Sequence, residues 1–220
     1  MSTPIVQPQF RPTLADLLGD RWRALPRALR WAIIAIAVLI GAYFAYGAVR
    51  SPAGRHVVVV RGSHPVNFLY TAPLRRVKPA PGELVALQTP RSDDEPQRFA
   101  VRALTLPRYG GDPGAALVLY SVRLERELAA QHPGLVIRDE GRTRINLRPA
   151  YQVTWQTKVN GRTTFGRDVM IVDDVNAARV GAILQMQSVI SPHVPQADAI
   201  GGVNPLKLSL RSFRLGTERP

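Results

Sequence analysis

Hydrophobic and polar positions change period three times along the chain. From Trp31 to Val49 the run WAIIAIAVLIGAYFAYGAV holds nineteen residues without a charge, apolar on every helical face instead of along one stripe. At about 1.5 Å per residue such a helix covers roughly the 30 Å hydrocarbon core of a bilayer, which predicts a transmembrane anchor. Trp31 at one end and Tyr43 and Tyr46 toward the other suit the headgroup zones. Upstream, Thr13 is placed as a helix cap, and Leu14, Leu18, Trp22 and Leu25 then share one face up to Pro26. That segment reads either as an interfacial helix on anionic lipid or as a partly ordered tail.

Beyond Ser51-Pro52-Ala53-Gly54 the pattern shortens to strand length. Apolar runs at His56–Val60, Val66–Tyr70, Glu83–Thr89 and Arg98–Leu106 read as strands, separated by the Pro-rich Pro73–Pro81 and the acidic Arg91–Gln97. One helix follows, with Asp112 as N-cap, Pro113 at its first position and Pro133-Gly134 closing it. Its apolar stripe is Leu117, Tyr120, Leu124 and Leu128, with Arg123 and Glu127 one turn apart on another side. Leu135–Asp139, Arg142–Arg148, Tyr151–Val159, Arg162–Val172 and Arg179–Val189 then read as strands of an antiparallel meander. Ser191–Asn204 is a long connection with room for a short helix, and Leu206–Leu215 reads as a last strand.

The turn at Asn160-Gly161 admits two registers. A two-residue loop sets Trp155 opposite Gly166; a three-residue loop with a bulge sets it opposite Phe165. Aromatic pairing across the strands favours the second, so a Trp155–Phe165 contact is expected.

Together these elements predict an α+β chain. Residues 1–30 form an Arg-rich cytoplasmic tail, 31–49 a transmembrane helix, 50–55 a short linker, and 56–216 an extracytoplasmic, mainly antiparallel β-sheet domain covered by one principal helix. More arginines precede the span than follow it closely, which places the N-terminus in the cytoplasm. The alternative is a cleaved signal peptide ending near Ala45-Tyr46-Gly47, but its n-region and apolar stretch would both be long.

Charge sharpens the partner question. The net charge is +13, nearly all from arginine; residues 1–50 contribute +4, six arginines against two aspartates, leaving +9 in the remainder. A field of that sign attracts polyanions. Arg142, Arg144 and Arg148 alternate along one expected strand and so share a face, which Arg167 could extend from a neighbouring strand together with Lys158 or Arg162. These arginines form the candidate anion-binding face, for lipid headgroups or an anionic envelope polymer. A solvated outer face of an Arg-rich protein explains the same pattern.

Signals of catalysis are missing. There is no cysteine, and His56, His64, His132 and His193 are scattered without metal-ligand spacing. Asp173-Asp174-Val175-Asn176 resembles half a calcium loop but lacks the following glycine and distant glutamate. No nucleophile elbow or phosphate-binding glycine loop is present, so no cofactor, metal or catalytic residue is expected. An enzyme would need a concave site joining two or more of Asp168, Asp173, Glu140 and His132.

The early strands, the single marked helix, the meander containing YQVTW and NGRTTFGRDVMIV, and the closing LRSFRL resemble the Mog1/PsbP-like α/β fold over about residues 56–216. An NTF2-like cone is a second possibility, although such domains begin with helices where this one begins with HVVVV. The Mog1/PsbP-like resemblance implies a binding or assembly module, and no functional residue set carries over by position. The expected function is therefore a non-enzymatic envelope module, with an envelope protein or anionic surface as partner. An envelope hydrolase is the alternative. Nucleic-acid binding would require an inverted topology.

Overall fold

The computed structural model describes residues 26–49, 54–90, 93–107, 111–173, 180–203 and 205–218. The expected interfacial helix behind Thr13 and the Asp174–Asn176 part of the calcium-loop-like segment lie outside them. The chain divides into two units, an N-terminal helix and a C-terminal domain.

Helix α1 (Arg27–Val49) begins directly after Pro26, whose carbonyl accepts from the amides of Leu29 and Arg30. Proline suits that boundary because it cannot continue a helix backward with a donor of its own. Ile33, Ile34, Ile36, Val38, Leu39 and Ile40 are all solvent-exposed, and at 100° per residue they encircle the axis. Among the described residues, no helix is long and apolar enough to cross a membrane. The expected span runs on through positions 43–49, whose side chains, Tyr43 and Tyr46 included, lie outside the described residues.

The domain has three layers. Strands β1 (His56–Val60) and β2 (Val66–Tyr70) join the two-residue β10 (Arg214–Leu215) in a small antiparallel sheet ordered β1-β2-β10. The central sheet contains β3 (Arg75–Val77), β4 (Glu83–Gln88), β5 (Gln97–Thr105), β6 (Val136–Ile145), β7 (Arg148–Val159), β8 (Arg162–Val172) and β9 (Val180–Val189). Its order is β3-β4-β5-β9-β8-β7-β6, antiparallel throughout. Helix α2 (Pro113–Gln131) covers one face, and the small sheet with helix α3 (Leu206–Ser212) covers the other.

Alternation along the strands makes this possible. In β7 the odd positions Tyr151, Val153 and Trp155 face α2, whose Leu117, Leu124 and Leu128 are fully buried against them. Even positions in β9, Ala182, Leu184 and Met186, face the other way and meet Phe68 and Phe213. There Phe68 lies 5.1 Å from Phe99 and 6.2 Å from Phe213, ring centre to ring centre. Burying each such side chain stabilises the fold by roughly 1.5–3 kcal/mol. Helix α2 starts as expected: the Asp112 carboxylate accepts from the Gly114 amide at 3.0 Å. Arg123 Nε reaches Glu127 at 3.0 Å, as the spacing predicts.

Four expectations are corrected. Trp155 lies opposite Gly166, not Phe165, because Asn160 and Gly161 both take positive φ and close a two-residue turn. A Cβ at Gly166 would fall within the indole of Trp155, so the glycine makes room for the ring that aromatic pairing had assigned to Phe165. Arg142–Arg148 is not one strand: Asn146 and Leu147, again at positive φ, turn the chain so that Arg148 begins β7. Leu206–Leu215 is mostly helix, with Leu206, Ser209, Leu210 and Phe213 buried at helical spacing. Lastly, the Pro-rich segment read as a turn contains β3, an edge strand paired to β4.

Candidate functional site

The turn at Asn146-Leu147 decides the fate of the arginine face. Residues directly opposite on paired strands point to the same side of a sheet. Arg142 pairs with Tyr151 and Arg144 with Pro149, which puts both on the α2 side. Arg148 pairs with Ile145, a member of the opposite core, and Arg167 pairs with Thr154 on that same opposite side. Arg142, Arg144, Arg148 and Arg167 therefore divide between two faces instead of sharing one.

The two pairs also differ in how they are used. Arg142 and Arg144 are exposed and line a shallow concavity of about 380 Å³ with Asp112, Gly114 and Thr143. Arg148 donates to the Asp173 carboxylate at 2.6 Å and ties β7 to the end of β8. Arg167 is largely enclosed: Nη1 donates to the Ile200 carbonyl at 2.9 Å and Nη2 to Gln152 Oε1 at 2.6 Å, while its buried Nε has no acceptor among the described residues. Burial lowers its pKa, against the opposing pull of Asp139 and Asp198. Those two carboxylates line a neighbouring concavity of about 480 Å³ with Arg138, Thr154 and Gln156. Arg167 thus fastens the 191–203 connection to the sheet.

The four residues an enzyme would need are distributed as follows. Asp168 is 1% exposed, on the α2 side of β8. Trp155 Nε1 donates to one of its oxygens at 2.6 Å and Gln185 Nε2 to the other at 2.9 Å. Burial raises the carboxyl to about 6, and the two hydrogen bonds and Arg102 oppose that shift. His132 stacks on the same indole at 4.5 Å, and burial lowers its pKa. Asp168 and His132 are thus connected only through Trp155, an arrangement that holds an aromatic ring. Asp173 is occupied by Arg148. Glu140 lies by Glu125, whose carboxyl is raised by burial and by hydrogen bonding and charge repulsion with Glu140. No cluster of three or more potential metal ligands occurs among the described residues.

A basic concavity escaped the sequence reading. Arg75, Arg76 and Lys78, from β3 and its end, line about 490 Å³ with Gln88, Thr89 and Arg98. The run RRVK was the available signal, but its place among prolines made it read as a turn.

No family model matches the chain, and no curated protein matches it in sequence. Solved structures do match in fold. LpqN of Mycobacterium tuberculosis, described as involved in cell envelope biogenesis, is 14% identical with a TM-score of 0.50, over 74% of this chain and 91% of that one. The Saccharomyces cerevisiae Ran-binding protein Mog1p gives 10% identity and 0.48, over 74% and 95%. Cyanobacterial PsbP from Synechocystis gives 12% and 0.49, over 76% and 95%. At these identities the likeness is one of fold alone: a mainly antiparallel sandwich with a few helices, which resembles the Mog1/PsbP-like fold.

Proposed function

We propose that this chain is a membrane-tethered, non-enzymatic module of the cell envelope, with α1 as the tether and the domain as a binding or assembly surface outside the membrane. The observation that carries the reading is the helix α1, whose apolar side chains between Ile33 and Ile40 point to every side. Seated in water, that perimeter would be unfavourable by about 25 cal/mol per Å² of apolar surface; lipid removes the penalty. The arginines at 21, 23, 27 and 30 before the span favour a cytoplasmic N-terminus. The envelope role described for LpqN, a fold neighbour, agrees with such a location.

Binding is favoured over catalysis because three of the four groups nominated for chemistry, Asp168, Asp173 and His132, are engaged in the fold. Asp168 is sealed under α2, and Asp173 is neutralised by Arg148. Exposed arginines remain available to an anionic lipid, an anionic envelope polymer or an acidic protein partner. Nucleic acid is a poor candidate for a domain outside the cytoplasm.

Cross-linking in intact cells followed by pulldown on the full chain tests this. A reproducible envelope partner, lost when residues 55–220 are deleted, is expected. Recovery of only abundant bystanders, or of the same proteins with the deleted chain, refutes the assembly role.

A further inference from the structure

The basic concavity at the β3 edge has an organisation that surface charge alone does not explain. Arg75 on β3 lies opposite Gln88 on β4, and Gln88 lies opposite Arg98 on β5. Adjacent strands are about 4.8 Å apart, so the two arginines stand on one face roughly 10 Å apart with an amide between them. Arg76, opposite Leu87 and so on the other face of this open edge strand, and Lys78 add two further cations at the rim, and none of the described lining residues is acidic.

Two details separate this group from the other cations. Arg98 is already oriented: Nη2 donates to both oxygens of Glu83 at 2.7 and 2.6 Å, and Glu83 is itself held by the Ala80 amide at 2.8 Å. That leaves the Nε and Nη1 donors of a fixed guanidinium for another acceptor. Arg75, Arg76 and Lys78, by contrast, have no carboxylate within ion-pair distance among the described residues. Charges on an edge strand guard against edge-to-edge pairing. That role accounts for Arg75 and Arg76, but not for Gln88 and Arg98 one and two strands inward. Gathering like charges is electrostatically unfavourable, and an anion placed among them reverses the sign.

We propose that this concavity binds a phosphate-bearing anion, with Arg75 and Arg98 as the cationic ligands, Gln88 as a neutral donor, and Arg76 and Lys78 as further cations at the rim. Phosphate is the chemistry that fits because its oxygens accept from several donors at once, and guanidinium forks match them in pairs. A single carboxylate would be saturated by Arg98 or Arg75 alone. The source is a phospholipid headgroup or a soluble phosphate-bearing polymer. This inference goes beyond the function proposed above and needs no tether, since every residue it uses lies in the domain.

The experiment is a binding titration on the full chain in non-ionic detergent. One arm uses water-soluble dihexanoyl phosphatidylglycerol, and a second uses inorganic polyphosphate. Binding in either arm, weakening steeply with salt, identifies the source. The exposed triple variant Arg75→Gln, Arg76→Gln, Lys78→Gln should keep the wild-type melting temperature and bind about tenfold or more weakly. Arg142→Gln with Arg144→Gln should bind within about twofold of wild type, because those arginines lie elsewhere. An unchanged triple variant, an equal loss in both variants, or no binding in either arm overturns the proposal. Loss of membrane association by the wild-type chain would defeat the tether and leave this result standing.

Discussion

The buried carboxyl of Asp168 should make the domain respond to pH in the direction opposite to most carboxylates. Its pKa is about 6 when folded against 3.8 for an ordinary aspartate. The folded state therefore holds the proton more tightly than the unfolded state. The sign follows: this group's contribution is fully present below about pH 3.8 and is lost as pH rises through about 6. A displacement of about two units corresponds to roughly 3 kcal/mol, spread over that interval. Asp168→Asn removes the ionisation and keeps the shape. Trp155 can still donate to the remaining oxygen, and Gln185 turns its amide to accept from the new one. The assay is urea unfolding of the full chain in non-ionic detergent, in a background with Trp22 and Trp31 replaced by Phe, so that Trp155 is the sole indole reporter. The stability difference between Asp168→Asn and wild type should shift by about 2–3 kcal/mol in favour of the asparagine between pH 4 and pH 7. Parallel pH profiles for the two proteins would refute the reasoning.

Further substitutions probe the packing around the same elements. Gly166→Ala places a methyl group within the Trp155 indole and should destabilise the domain by about 3 kcal/mol or more, read as a fall in urea midpoint. Leu124→Ala empties a fully buried position between α2 and the sheet and should cost about 2–5 kcal/mol on the same assay. Asp112→Ala removes the cap on α2 and should cost about 1 kcal/mol. Leu147→Gly relieves a leucine held at φ 69° in an exposed turn and should stabilise by up to about 1 kcal/mol, a rise in melting temperature.

Much of the fold was legible because strong local signals agreed with tertiary demand. The apolar runs of β1, β2 and β8 fell at the expected limits, and the Asp112-Pro113 start of α2 follows capping chemistry that acts within one turn. The failures share a cause, which is that packing chose between locally equal options. Leu206, Leu208 and Leu210 alternate as a strand would, and only the burial of Leu206, Ser209, Leu210 and Phe213 under the sheet selects a helix. Asn146-Leu147 lacks the glycine that usually marks a two-residue hairpin turn. Its geometry is held instead by Asn146 Nδ2 donating to the distant Phe213 carbonyl at 2.6 Å. Missing that turn joined Arg148 to Arg142 and Arg144 and created a single arginine face where there are two. The register at Trp155 failed because the indole needed space over Gly166 and an acceptor at Asp168, neither of which cross-strand pairing rules contain. The Arg75–Arg98 row was invisible because it exists only when β3, β4 and β5 are side by side.

Protease digestion of spheroplasts carrying the full chain with a C-terminal epitope decides whether α1 tethers the domain on the outer side of a membrane. External protease is expected to remove the epitope without lysis, while the shortened remnant stays with the membrane pellet after alkaline carbonate. An epitope protected until lysis, or a chain released intact into the carbonate supernatant, would contradict that arrangement.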